Sequence, residues 1–117
     1  MELNFNNTKK KFLVVTLNNE QRTKLLIKTP TKLLMEKIFQ MQKDIDEVDE
    51  NNLDEVYELL SEIMSRNVKN IKISAKELEE ILDFEDIFIF FNCYTNFING
   101  IVKSKNYNSP TIRNKKK

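Results

Sequence analysis

The segment from Phe84 to Val102 reads FEDIFIFFNCYTNFINGIV, and its interpretation decides the fold. At about 100° per residue, one apolar stripe runs along a predicted helix and comprises Ile87, Phe91, Tyr94, Ile98 and Ile101. The apolar residues outside that stripe are Phe88, Ile89, Phe90 and Phe97. The helix is therefore apolar over more than one face. Such a helix either lies at the centre of a domain or keeps part of its aromatic surface for another chain.

The ends of this helix carry recognisable signals. Asp83 is a suitable cap, and Glu85 and Asp86 fall in the first turn, where the helix dipole favours acids. Gly100 either ends the helix near Val102 or weakens its last turn. Three amide side chains interrupt the apolar sequence and either hydrogen bond across an interface or face solvent: Asn92, Asn96 and Asn99.

Three further helices are predicted upstream of this segment. Ser74 and Glu77 form a capping box that opens a short helix, and Asn52 and Glu55 form a second box that opens a longer one. A helix before these starts at Thr29-Pro30, because Pro suits the first helical position. Its apolar stripe has helical spacing and consists of Leu34, Ile38, Met41 and Ile45.

The N-terminal part of the sequence predicts a β-hairpin. The runs 11–17 (KFLVVTL) and 22–28 (RTKLLIK) are rich in apolar and β-branched residues, and Asn18-Asn19 between them suits a reversal of the chain. A lone hairpin is marginal in water, so its apolar side must pack on helices or on another subunit's strands. The predicted fold is α+β and mainly α, with an N-terminal arm 1–10, one domain 11–105 (hairpin 11–28, helices 30–105) and a basic tail 106–117.

Composition excludes most catalytic chemistry. The 117 residues include no His, no Trp, one Gly and one Cys. An imidazole base, a His/Cys metal cluster, a glycine-rich phosphate loop and an internal disulfide are therefore excluded. The lone Cys93 is expected to be a small buried hydrophobic residue, because no His is present to activate it. We expect no enzymatic activity and no cofactor.

Charge is segregated along the chain although the net charge is only +1. Residues 1–35 contain seven basic and two acidic residues, whereas 36–62 contain two basic and ten acidic ones. The acidic block is either a solvated helix connection or a docking surface for a basic partner. From residue 101 onward no acid occurs, and the tail is either simply solvated or contacts phosphates.

That basic tail leaves a second functional class open, a small DNA-associated regulator of a mobile element. A helix-turn-helix reader is not supported, because the helix that follows Ser74 carries three acids, Glu77, Glu79 and Glu80. Binding to nucleic acid is therefore not the favoured interpretation.

No membrane or export segment is expected. The longest unbroken apolar run, Ile87 to Phe91, is far shorter than the roughly 20 residues of a spanning helix. The N-terminal residues lack the cationic and apolar regions of a signal peptide. With a single Cys, these features predict a protein of the reducing cytoplasm.

The order of motifs resembles a known family. After the hairpin and the Thr-Pro helix start come Ile63-Met64-Ser65-Arg66-Asn67, then Ile71-Lys72-Ile73-Ser74, and finally Leu82-Asp83-Phe84-Glu85-Asp86 leading into Phe90-Phe91-Asn92-Cys93-Tyr94-Thr95-Asn96-Phe97-Ile98. This order, from about Lys11 to Lys105, is similar to that of the tail assembly chaperones of long-tailed phages and prophages of Gram-positive bacteria.

The resemblance implies a helper that coats the long, apolar tape measure protein and aids recruitment of tail tube subunits in the cytoplasm of the bacterial host. It implies no catalytic residues, and a longer frameshifted product is common in the family. We expect the chain to form a homo-oligomer, with the hairpin edge contributing. The residues expected to contact the tape measure protein are Phe88, Phe90, Tyr94, Phe97 and Ile101.

Overall fold

The computed structural model describes residues 1–6, 9–44 and 49–107. An antiparallel hairpin is followed by four helices, as the sequence predicts. The elements are β1 (Leu13–Thr16), β2 (Lys24–Ile27), α1 (Lys32–Asp44), α2 (Glu50–Ser65), α3 (Ala75–Ile81) and α4 (Phe84–Tyr107). Contacts divide the chain into two compact units, Met1–Asp83 and Phe84–Lys117, which are described separately. The single domain expected over 11–105 stays a prediction.

The hairpin of the first unit is shorter than the sequence suggests. Leu13 pairs with Ile27 and Thr16 with Lys24, so each strand has four residues. The expected reversal at Asn18-Asn19 is only partly right, because the left-handed backbone occurs at Arg22, with φ of 49°. Asn19 organises this turn through its side chain, which accepts a hydrogen bond from the Thr23 amide at 3.0 Å.

A short extended segment after α2 adds to the sheet at β2. The Lys28 amide donates to the Arg66 carbonyl at 3.0 Å, and the Val68 amide donates to the Leu26 carbonyl at 3.0 Å. These two bonds flank an antiparallel bridge between Ile27 and Asn67. Residues 66–68 therefore pair with the sheet at β2.

One amide side chain holds the turn that follows this pairing. Asn67 is 1% exposed, and its Nδ2 group donates to the carbonyls of Met64 and Ile71 at 2.8 and 2.7 Å. Its Oδ1 accepts from the Ile71 amide at 2.9 Å. Asn70 closes the turn with a left-handed backbone, φ 59°. All polar groups of the Asn67 side chain are therefore used inside the fold.

The neighbouring Ser65 and Arg66 fix the rest of this connection. Ser65 Oγ accepts from the Ile73 amide at 2.9 Å and donates to the Ile73 carbonyl at 3.1 Å. Arg66 Nε donates to the Thr29 carbonyl at 2.8 Å, which joins the end of α2 to the chain that leaves β2. The Ser-Arg-Asn motif is thus a structural joint between hairpin and helices.

The helices of the first unit begin at caps that the sequence locates only in part. Ser74 caps α3 as predicted, accepting from the Glu77 amide at 3.1 Å. The predicted Asn52 cap is wrong, because Asp49 caps α2 and accepts from the Asn52 amide at 2.9 Å. The start at Thr29-Pro30 is also too early. Thr31 precedes α1 and accepts from the Leu34 amide at 3.3 Å.

The core of the first unit collects the apolar faces of the hairpin and α1 to α3. The elements in contact are β1 with β2, α1 with α2, α2 with α3, and α2 with β2, so α2 is central. The buried apolar residues are Leu17, Leu25, Ile27, Leu34, Ile38, Val56, Tyr57, Leu59, Leu60, Ile63, Met64, Ile73 and Leu78. The predicted stripe residue Ile45 lies outside the described residues.

The second unit is built on α4. Glu85 and Asp86 occupy its first turn, as expected. Gly100 does not end the helix, which continues to Tyr107 and so beyond the predicted end near Val102. Residues 108–117 of the predicted basic tail lie outside the described residues.

Candidate protein-binding surfaces

One half of α4 is buried, and aromatic rings dominate it. Ile87, Phe90, Phe91 and Tyr94 are buried, and Phe97, Ile98 and Ile101 are half-buried. Phe90 stacks on Tyr94 with ring centroids 5.5 Å apart, and Tyr94 stacks on Phe97 at 6.3 Å. The predicted stripe therefore belongs to the shielded side of the helix. Phe90 and Phe97 widen that side rather than forming a separate one.

The opposite half of α4 is exposed, and we call it the open face. Its uncharged residues are Phe84, Phe88, Ile89, Asn92, Cys93, Asn96, Asn99, Gly100 and Val102, and the exposed Glu85 and Lys103 lie on the same side near its two ends. Between Ile87 and Val102 the chain carries no charged residue, whereas charged residues make up 32% of the whole sequence. Exposed helix faces of soluble proteins normally carry charge. An exposed helix face without charge is typical of surfaces that bind another protein.

The five predicted contact residues do not lie on one surface. Phe88 is 57% exposed and belongs to the open face, whereas Phe90 and Tyr94 are buried at 7% and 1%. Phe97 and Ile101 are half-buried. Phe88 is therefore the predicted residue that a partner reaches most directly. The role of all five in binding stays a prediction.

Sequence reasoning missed three apolar members of the open face. They are Phe84, Ile89 and Val102, which are 47%, 62% and 51% exposed. At about 100° per residue, Ile89 falls on the side opposite the Ile87-Phe91-Tyr94 stripe, whereas Phe84 and Val102 fall next to its edge, so helical periodicity alone signals only the exposure of Ile89. Cys93 corrects another expectation, since it is exposed rather than buried. Its helical position points away from that stripe, which explains the difference.

A second surface is an acidic groove between α1 and α2, with a volume of about 530 Å³. Its residues are Lys37, Gln40, Met41, Asp54, Glu55, Glu58, Leu59 and Glu62. Lys37 Nζ forms a salt bridge with Glu62 at 3.0 Å, and the other three carboxylates lie on the same stretch of α2. This groove is a negatively charged surface with an apolar floor formed by Met41 and Leu59.

Among residues 1–6, 9–44 and 49–107, no group of His, Cys, Asp or Glu side chains is arranged to hold a metal ion. No helix in the described part of the chain has the length and apolarity that crossing a bilayer requires.

Comparison with known proteins adds no relative. No family model matches the sequence, and neither a curated protein nor a solved structure matches it.

Proposed function

We propose that this protein is a phage tail assembly chaperone that binds the tape measure protein through the open face of α4. The observation that carries the proposal is the exposure of Phe88 and Ile89, 57% and 62%, on the stretch of α4 between Ile87 and Val102, which carries no charge. The order of motifs along the chain, which resembles that family, supports the same function.

The chemistry of the open face suits a reversible complex with an apolar helical rod. Covering a large apolar side chain contributes about 1.5–3 kcal/mol. Two or three such residues per copy therefore favour binding without making it permanent. The asparagines that follow Phe88 along the helix can hydrogen bond to polar groups of the rod. A chaperone that tail tube subunits later displace needs this combination of apolar contact and modest strength.

The acidic groove gives the protein a second surface of different character. Its carboxylates help to keep the loaded complex soluble because they are charged and strongly hydrated. They also suit a basic segment of a tail tube subunit. In this proposal the chaperone works as an oligomer in the cytoplasm of the bacterial host and catalyses no reaction.

A co-expression experiment tests the proposal. The chain is produced together with the long protein encoded in the same tail gene cluster, and the soluble fraction of that protein is measured. We expect the chaperone to raise this fraction several-fold. Changing Phe88→Ser and Ile89→Ser together should remove most of the gain, because the apolar contact is lost while the buried side of α4 is untouched.

Phe39→Ser provides the matched control. Phe39 lies on α1 and is 54% exposed, close to the 57% of Phe88, so the same change removes a similar amount of exposed aromatic surface elsewhere. The proposal fails if the folded double variant solubilises the tape measure protein as well as the unchanged chain does. It also fails if the gene has no tail protein genes as neighbours.

A further inference from the structure

The N-terminal segment 1–6 has the sequence pattern of a strand, although it lies outside β1 and β2. Met1, Leu3 and Phe5 alternate with polar residues, which is typical of a strand with one buried face. All three side chains are exposed, Leu3 at 66% and Phe5 at 72%. Alternating apolar residues so close to the hairpin indicate a surface that this segment covers in an assembled form.

The free edge of β1 offers backbone groups to such a strand. The Leu17 amide donates to the Thr23 carbonyl at 2.8 Å, so the backbone groups of Leu17 point toward the β2 side of the hairpin. In an antiparallel pair every second residue turns its N–H and C=O away from the partner strand. By this alternation Val14 and Thr16 direct theirs to the outside. No hydrogen bond joins their outward backbone groups to the described residues.

The face of the sheet that carries Val14 and Leu26 has exposed apolar side chains up to the β1 edge. Val14 lies opposite Leu26, and Val68 lies beside Leu26 on the other side. Val14 and Val68 are 53% and 40% exposed, and Phe12, two residues before Val14, is 39% exposed. The two strands and the segment 66–68 thus present an exposed apolar row that ends at the β1 edge.

We propose that the N-terminal segment of a second copy of this chain adds to β1 as an antiparallel strand. The register follows from two alternations, that of apolar and polar side chains in the segment and that of outward and inward backbone groups in β1. It places Leu3 opposite Val14 and Phe5 opposite Phe12. Leu3 then extends the apolar row, and the two phenylalanines form a cross-strand aromatic pair. Main-chain hydrogen bonds to the outward groups of Val14 and Thr16 supply the rest of the contact.

The occupant is a second copy rather than the same chain because of the lysines between segment and strand. To fold back onto its own β1, the chain would have to reverse within residues 6–11, which include Lys9, Lys10 and Lys11. Adjacent like charges repel one another and keep a linker extended. Reciprocal exchange covers the exposed side chains of Leu3, Phe5, Phe12 and Val14 twice, once in each copy, and so doubles the apolar surface buried relative to a single added strand.

Disulfide trapping tests the register directly. Leu3→Cys is placed in one tagged chain and Val14→Cys in another, both in a Cys93→Ser background, because the native thiol is exposed. Residues opposite each other in this ladder have Cα atoms about 5.5 Å apart, which suits a disulfide. We expect at least tenfold more mixed dimer than with Asn4→Cys, whose side chain points to the other face of the same strand.

Two further measurements separate exchange from a folding defect. Light scattering should show dimers for the full chain and monomers when residues 2–6 are deleted. Val14→Pro removes an outward N–H while sparing the bonds between β1 and β2, so this folded variant should also be monomeric. A full chain that stays monomeric at all concentrations overturns the proposal. So does a disulfide that forms only within one chain carrying both cysteines, or a mixed dimer no more abundant than the Asn4→Cys control.

Discussion

Asparagine has opposite roles in two regions of this protein. Asn67 is buried in the connection after α2 and makes three hydrogen bonds to backbone groups. Asn92, Asn96 and Asn99 lie exposed on the open face of α4. An amide inside the fold specifies one path of the chain, whereas an amide on a helix face is open to solvent and to a partner. The environment rather than the residue type determines which role applies.

The largest expected difference is between Asn67→Ala and Asn96→Ala. Asn67→Ala leaves polar backbone groups of Met64 and Ile71 without partners inside the fold. Each such loss costs about 1–3 kcal/mol, so we expect the free energy of unfolding to fall by roughly 3 kcal/mol. Asn96→Ala, at an exposed helical site, should change it by no more than about 0.5 kcal/mol. Urea unfolding followed by circular dichroism measures both, and equal effects would contradict the comparison.

This contrast shows which parts of the fold can be predicted from the sequence. Helical periodicity and the Ser74 box locate the helices because they depend on residues close in sequence. The joint formed by Ser65, Arg66 and Asn67 could not be predicted, because its partners include Thr29 and Ile73, which the fold alone brings near. The motif that most supports the family resemblance is therefore explained by hydrogen bonds within the first unit.

The candidate surface was predicted less well than the fold. An apolar helix was evident, and its central stripe lies on the shielded side as the spacing indicates. Which aromatic residues outside that stripe stay exposed depends on how wide the shielded side is. Helical periodicity does not determine that width. Phe90, which is expected at the contact surface, is therefore buried, whereas Ile89, which is not among the expected contact residues, is exposed.

Ser65→Ala tests a second residue of this joint, whose loss of stability can be compared with that of Asn67→Ala. Ser65 Oγ is bonded to both the amide and the carbonyl of Ile73, which is 4% exposed. Ser61 also donates to that carbonyl, so only the amide loses its partner. We expect a loss of about 1–2 kcal/mol in the free energy of unfolding, less than for Asn67→Ala. Thermal denaturation of both variants would give this order, and the reverse order would show that Ser65 is the more important member.

Ser74→Ala should have a smaller effect because a helix cap is exposed to water. Ser74 accepts from the Glu77 amide at 3.1 Å at the start of α3. Replacing such a cap by Ala costs about 1 kcal/mol. Ser74→Asp should retain most of the stability, since aspartate also caps and suits the helix dipole. A Ser74→Asp variant as unstable as Ser74→Ala in urea titrations would exclude capping as the reason.

The smallest effect is expected for the salt bridge in the acidic groove. Lys37 and Glu62 are both about half exposed, and such pairs contribute about 0.2–1 kcal/mol. Lys37→Met removes the cation and leaves Glu58 and Glu62, four residues apart on α2, to repel each other. We expect a loss of about 0.5 kcal/mol at low salt that largely disappears in 1 M NaCl, because salt screens exposed charges. The same salt series on Asn67→Ala should keep its larger loss, because buried hydrogen bonds are not screened. If salt abolishes both losses of stability, the distinction between buried and exposed polar groups does not hold.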